Sequence, residues 1–266
     1  MSLVIHQVDA FADQPFRGNP AAVCVLDAPA SATWMQSVAE EMNLSETAFL
    51  HTLADAWSLR WFTPAVEVDL CGHATLAAAH VLWETHQLKN DEAARFDTRS
   101  GRLVAVRRGE RIELDFPARP AEPADPPSGL LEALGVRAVA VGRSRDDWLV
   151  ELPSEADVRA CAPDFTRLKG VGARGVIVTS RSADAEFDCV SRFFAPGSGI
   201  DEDPVTGSAH CTLAPWWGAR LGRRTLRAFQ ASKRGGALDL ALEGDRVRIA
   251  GAAVTVLRGE LLTHPD

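Results

Sequence analysis

Residues 60–83 read RWFTPAVEVDLCGHATLAAAHVLW, and residues 192–217 read RFFAPGSGIDEDPVTGSAHCTLAPWW. Each stretch opens with Arg, two aromatics, a small residue and Pro (60–64 and 192–196). It then crosses an acidic loop and meets a Gly followed by a polar residue and Ala, ahead of an apolar run. A strand, a loop and a helix opening are thus written twice. Helices that open at Gly72-His73 and Gly207-Ser208 present backbone N–H groups with no partner inside the helix. Two such openings facing each other are expected to form an anion site. The copies occupy separate halves of a 266-residue chain, which predicts two related domains and a cleft.

The bulk composition narrows the class. With 46% hydrophobic and 24% charged residues the chain is an ordinary globular protein. A net charge of −8, with no stripe gathering the 28 Lys and Arg residues, excludes nucleic acid as the main partner; Lys233-Arg234 reads as a solvated turn. The start, MSLVIHQVDAF, alternates like a strand and carries no secretory pattern. No stretch approaches membrane-spanning length, so the expectation is a cytoplasmic protein with no membrane partner. Five widely spaced cysteines, Cys24, Cys71, Cys161, Cys189 and Cys211, do not read as a disulfide framework. The absence of Tyr leaves Glu, Asp, His, Cys and Lys as proton carriers.

Outward from the repeat, strands are predicted over 4–11 and 21–26, with a turn at Gly18-Asn19-Pro20. Ser31 is placed as the N-cap of a helix to about residue 41, with Trp34, Met35, Val38 and Met42 at helical spacing and Asn43 closing it. Residues 44–46 then read as loop, 47–51 and 57–62 as paired strands, and 73–83 as the first apolar helix. Strands over 102–107 and 111–116 flank Gly109-Glu110, a hairpin signal. The proline-rich run from 117 to 129 holds neither helix nor central strand, which divides the chain into 1–118, a linker over 119–128, and 129–266, with the last strand free to return to the first half. The second half reads as a short helix over 130–134 and strands over 137–141, 147–152, 175–180 and 186–194. After the second copy, strands follow over 225–231, 237–242, 245–250 and 252–257. The fold class is therefore α+β: two similar domains, each a curled, mainly antiparallel sheet wrapped around a central apolar helix. No G-x-G-x-x-G opens a helix, against a dinucleotide-binding fold.

The run A-T-L-A-A-A-H-V-L-W after His73 is apolar nearly all round, as for a helix inside its own sheet, so His80 and Thr85 count as packing. At the helix tips a Gly permits close backbone approach. His73 and Ser208 read either as caps or as ligand contacts there. Glu46, in NLSETAFL, reads either as a capping-box or surface acid, or as a partly buried carboxyl able to give and take a proton. Asp203, in DEDPVTGS, stands just ahead of a helix opening, where a carboxylate would orient a neighbouring donor.

With these residues in view, the chain resembles the PhzF-like proteins of the phenazine-biosynthesis family, which share the diaminopimelate epimerase fold. The resemblance covers essentially the whole chain and rests on GNPAAVCVL (18–26), MNLSETAFL (42–50), DLCGHATLAAAHVL (69–82) and GIDEDPVTGSAHCTLAPWW (199–217). It implies two similar domains with the active site between them, cofactor-free chemistry and a homodimer. The family's proton-carrying glutamate falls on Glu46, its histidine on His73, and its aspartate and serine on Asp203 and Ser208. In the phenazine enzyme the corresponding groups isomerise trans-2,3-dihydro-3-hydroxyanthranilate. Related epimerases use two thiols, one per half. Here Cys71 stands near the first position, but 203–206 offers no thiol, and Cys211 lies one helical turn further on, facing the core.

The expected function is a cofactor-independent isomerase moving a proton on a small anionic, carboxylate-bearing substrate. Glu46 is the acid/base, its neutral form favoured by the substrate's charge. Gly72, Gly207 and Ser208 hold the anion, and His73 and Asp203 orient polar substituents. Three rivals remain. One is a cysteine-dependent racemase or epimerase using Cys71. Another is a metal hydrolase built from Cys71, His73, His210 and Cys211, whose spacing is poor for zinc, so no metal is expected. The last is a non-catalytic small-molecule binding protein.

Overall fold

The structure is a computed structural model that describes residues 3–265. Two compact units emerge: Met1–Asp115 together with Ala250–Asp266, and Phe116–Ile249. No helix among the described residues is long and apolar enough to cross a membrane.

In the first unit the strand Leu3–Ala10 runs antiparallel to Ala253–Leu261 on one side and to Asn19–Leu26 on the other. Asn19–Leu26 is parallel to Glu46–Thr52, which is antiparallel to Trp57–Phe62. The sheet continues through Ala94–Thr98 and Gly101–Arg108 to the strand beginning at Arg111. One face of this curl meets the helix Gly72–Glu84, whose residues from Ala74 to Ala79 are all completely buried. The opposite face is covered by the helix Ala32–Met42 through Trp34, Met35 and Val38 against Ile5, Phe49 and Phe62. Side chains alternate across a strand, so Phe49 faces that outer helix while Glu46, Ala48 and Leu50 face the central one. Glu46 is thus the first residue of a strand, where the sequence alone suggested a loop.

The second unit repeats the plan. Asp147–Glu151 is parallel to Gly175–Arg181, which is antiparallel to Cys189–Ala195, which is parallel to Thr225–Gln230 and so leads on to Gly236–Glu243. Val150, Val176, Val178 and Val190 pack outward against short helices at Leu130–Leu134, Glu155–Ala160 and Phe165–Gly170. The inner face meets the helix Gly207–Leu221, whose Trp217 Nε1–H donates to Thr179 Oγ1 at 3.0 Å. Two of the outer helices, of six residues each, escape the sequence reading. Their caps were the available signal, since Ser154 and Asp164 accept from the N–H groups of Asp157 and Arg167.

The repeated Arg and acid are structural. Arg60 grips Glu67 with Nε and Nη2 at 2.7 and 2.8 Å, and Arg192 grips Glu202 in the same two-pronged way at 2.6 and 2.9 Å. Each guanidinium also lies over an aromatic of its own copy, Phe62 or Phe194. A bidentate pair with a ring beneath it fixes the acidic loop that leads to the helix opening.

The stretch read as a linker over 119–128 is tied into the second unit. Pro215 sits inside the helix Gly207–Leu221 and has no N–H for the carbonyl of Cys211; that carbonyl instead accepts the Arg119 N–H at 2.9 Å. Glu122–Pro123 then pairs with the strand Ala140–Arg143.

Candidate active site

Both central helices open without a side-chain cap. Cys71 and Thr206, the residues ahead of the two glycines, make no capping hydrogen bond, whereas Ser31, Ser154 and Asp164 cap their own helices. The reason is visible in each unit. Cys71 has only a thiol, and the Thr206 hydroxyl is drawn away to Asp203 Oδ2. The first-turn amides at Gly72-His73 and Gly207-Ser208 therefore keep the positive helix end unneutralised by a side chain.

In the first unit Glu46, His73, Cys71, Asn19 and Ser45 come together. Glu46 Oε2 lies 3.0 Å from His73 Nε2, with side-chain exposures of 13% and 6%. The two atoms are close enough for an ion pair but not aligned as a hydrogen bond, and neither has another partner among the described residues. The other ring nitrogen, Nδ1, is 3.2 Å from Asn19 Nδ2 and 3.5 Å from Cys71 Sγ. Ser45 Oγ–H donates to Asn19 Oδ1 at 3.0 Å, and that orientation turns the Asn19 amide toward the ring. Burial opposes charge on His73 and its acidic neighbours favour it, Cys71 only where it is a thiolate and Glu46 where it is a carboxylate; together they shift the imidazole pKa upward. The Cys71 thiol is pushed up, by burial first and by Glu46 second. A thiol poised to abstract a proton needs the opposite shift. Asn19 and Ser45 escaped the sequence reading because Gly18-Asn19-Pro20 carried only a turn signal.

Glu46, Cys71 and His73 each offer a metal-ligating atom, all within 4.8 Å of one another. The ring meets Glu46 through Nε2 and Cys71 through Nδ1, so one ion would engage a single nitrogen and lose the other contact. His210 and Cys211 bond back to their own helix, at Thr206 O (2.8 Å) and Gly207 O (3.6 Å), and do not form the ligand pair considered from sequence.

In the second unit Asp203 ends the short strand Ile200–Asp203, opposite Phe193. Gln230, completely buried, spans the turn that follows: its Nε2 donates to Asp203 O at 2.7 Å and its Oε1 accepts the Thr206 N–H at 2.9 Å. Gln230→Leu is expected to destabilise the protein by about 2 kcal/mol, since it strands a buried amide and a carbonyl; urea unfolding measures it, and a loss under ~0.5 kcal/mol would remove Gln230 as the clamp. Ser208 accepts from Arg174 Nη2 at 3.3 Å. Gln230 and Arg174 are distant in sequence from the motif they support, which hid them.

His210 is completely buried, one turn inside the helix Gly207–Leu221, with no hydrogen-bond partner for Nε2 among the described residues. Burial lowers its pKa from 6.5 to about 4. A histidine depressed in the folded state contributes stability above the unfolded pKa, and loses it as pH falls from about 6.5 toward 4. Wild type should therefore lose up to about 3 kcal/mol more than His210→Phe across that window. Denaturant curves of the two proteins at several pH values check this, and parallel curves would refute it.

The chain matches the family model described as "Phenazine biosynthesis-like protein" over residues 8–259. It is 53% identical over 263 residues to a protein of Halalkalibacterium halodurans named as an uncharacterized isomerase, covering 98% of this chain and 99% of that one. A similarly named protein of Pseudomonas aeruginosa is 54% identical over 261 residues, with 98% and 99% covered. Among solved structures, a PhzF-family phenazine biosynthesis protein of Enterococcus faecalis superimposes with a TM-score of 0.95 at 42% identity, covering 99% of this chain and all of that one.

Proposed function

We propose, from the premise that the chain belongs to the phenazine biosynthesis-like (PhzC-PhzF) family, that it is an isomerase which shifts a proton on a small carboxylate-bearing substrate. The reaction needs no cofactor. The observation that carries this reading is the partly buried Glu46 carboxyl facing His73, with Glu46 Oε2 and His73 Nε2 having no hydrogen-bond partner among the described residues, beside an uncapped helix opening.

Glu46 removes a proton from one carbon of the substrate. The electrons of that C–H bond move into the adjoining unsaturated system, and the same carboxyl returns the proton at another position of that system. His73, whose Nδ1 accepts from the Asn19 amide that Ser45 orients, turns Nε2 toward the Glu46 carboxyl and orients a polar substituent. The N–H groups at Gly72-His73, in the same unit as Glu46, bind the substrate's negative charge. The cysteine-dependent alternative is disfavoured by the raised thiol pKa of Cys71 and by Val205 and Thr206 standing before Gly207 in the second copy.

The reaction is tested by incubating the protein in deuterated water with a panel of small unsaturated hydroxy and amino carboxylic acids. Label entering one carbon of one class of acid, insensitive to thiol alkylation, is the expected result. Exchange abolished by alkylation would transfer the chemistry to Cys71, and no exchange into any bound acid would reject the isomerase reading.

A further inference from the structure

The outer faces of the two sheets are covered differently. One helix of 11 residues, Ala32–Met42, lies across the sheet of the first unit, whereas the second unit relies on three helices of five or six residues. Helices that stop inside a layer leave the space beyond their ends open. Where Leu130–Leu134 and Glu155–Ala160 both end, a cavity of about 400 Å³ remains, with Leu134, Val136, Arg137, Asp157, Ala160 and Cys161 in its lining. Protein interiors pack as densely as organic crystals, so an opening of this size is not a default of packing, and its volume is that of a small-molecule site. Its floor is apolar and fixed: Leu134 is 1% exposed and Cys161 5%, and both belong to the core beneath.

The polar groups around the cavity decide which ligand suits it. Carbonyls at helix ends favour a cation, but here they are already engaged. Arg192 Nη1 donates to Cys161 O at 2.5 Å and to Val158 O and Arg159 O at 3.4 Å, and the Cys161 thiol donates to Leu134 O at 3.6 Å. The Asp157 carboxylate is engaged too: Ser154 Oγ–H donates to its Oδ2 at 2.6 Å and accepts the Asp157 N–H at 3.2 Å. On the neighbouring turns Glu155 pairs with Arg159 and Asp164 with Arg167. Arg137 differs from all of these. No hydrogen bond or ion pair joins it to a described residue, so its five N–H donors stand at the cavity without an acceptor. An apolar floor beside an unmatched guanidinium complements a carboxylate carried on a hydrocarbon body.

We infer that this cavity is a ligand site for a small monocarboxylic acid with an aliphatic tail, the carboxylate on Arg137 and the tail against Leu134, Val136 and Ala160. The site lies within the second unit, which does not carry Glu46, and it does not depend on the function proposed above.

The test is a methyl NMR titration of the full chain with hexanoate and with its neutral counterpart hexanamide. Saturable shifts are expected at the Leu134, Val136 and Ala160 methyls, with hexanoate binding about tenfold more tightly than hexanamide and the difference shrinking at high salt. Arg137→Gln removes a side chain that bonds to no described residue, so it should unfold like wild type and bind the acid and the amide alike. Ala160→Trp fills the cavity from its exposed rim, and should remove the shifts at Leu134 and Val136 while urea unfolding stays near wild type. Should the tryptophan variant lose stability, Arg137→Gln decides alone. Equal affinity for acid and amide in wild type, an acid preference that survives Arg137→Gln, shifts that persist in a folded Ala160→Trp, or no shift at Leu134 and Val136 would each overturn the inference.

Discussion

Replacing Glu46 by Gln is expected to abolish proton exchange, lowering it by up to about 10⁴-fold, the range a positioned acid/base supplies. The amide keeps the size of the carboxyl, but it can neither take nor return a proton. Affinity for the same acids should stay within a few fold, because the proposed anion contacts are backbone amides at the helix opening rather than the carboxyl. Cys71→Ser is the companion variant. The Cys71 thiol lies 3.5 Å from His73 Nδ1 but is held neutral by burial, so the serine variant should keep most of its exchange. The opposite pattern, with Glu46→Gln active and Cys71→Ser inactive, would move the chemistry from the carboxyl to the sulfur.

Much of this architecture is local and therefore legible in the sequence. Ser31 and Asn43 bracket the helix Ala32–Met42, the cap accepting from Trp34 N–H and Asn43 turning to φ 50°, because capping chemistry acts over three or four residues. The apolar run after His73 announces a helix buried on every side for the same reason. What stays hidden is whatever depends on strand register. Glu46 faces the central helix by the parity of its strand, fixed only when Ala21 pairs with Glu46. Arg174 meets Asp147 across parallel strands 27 residues apart, as Gln230 meets Asp203 across the same separation. No periodicity encodes such meetings, since they depend on which strands become neighbours. The repeat partly substitutes for that knowledge: it shows that Arg60 and Arg192 do one job, though not that Glu67 and Glu202 are their partners.

The largest effect on stability is expected from one methyl group at Gly18. Its φ is 63°, and a Cβ there would lie 2.1 Å from the Ala10 carbonyl oxygen and 2.9 Å from the Ala12 Cβ. The first obstacle is backbone, and backbone of a strand paired on both sides, so it cannot swing aside as a flexible side chain would. Gly18→Ala should cost about 3 kcal/mol or more, combining a left-handed backbone with a steric overlap. Gly101→Ala separates the two contributions, since φ is 94° there but, apart from its chain neighbours, nothing among the described residues lies within 4 Å of the added carbon; it should cost only about 1 kcal/mol. Equal losses in urea unfolding would show that the conformation alone matters. The consequence reaches the proton chemistry, because Ala10 pairs with Asn19, the residue whose amide sits 3.2 Å from His73 Nδ1. Pushing Ala10 away from position 18 displaces Asn19, frees the ring to rotate and loosens its approach to Glu46. The surviving folded fraction of Gly18→Ala should therefore show slower exchange than Gly101→Ala, at equal concentrations of native protein.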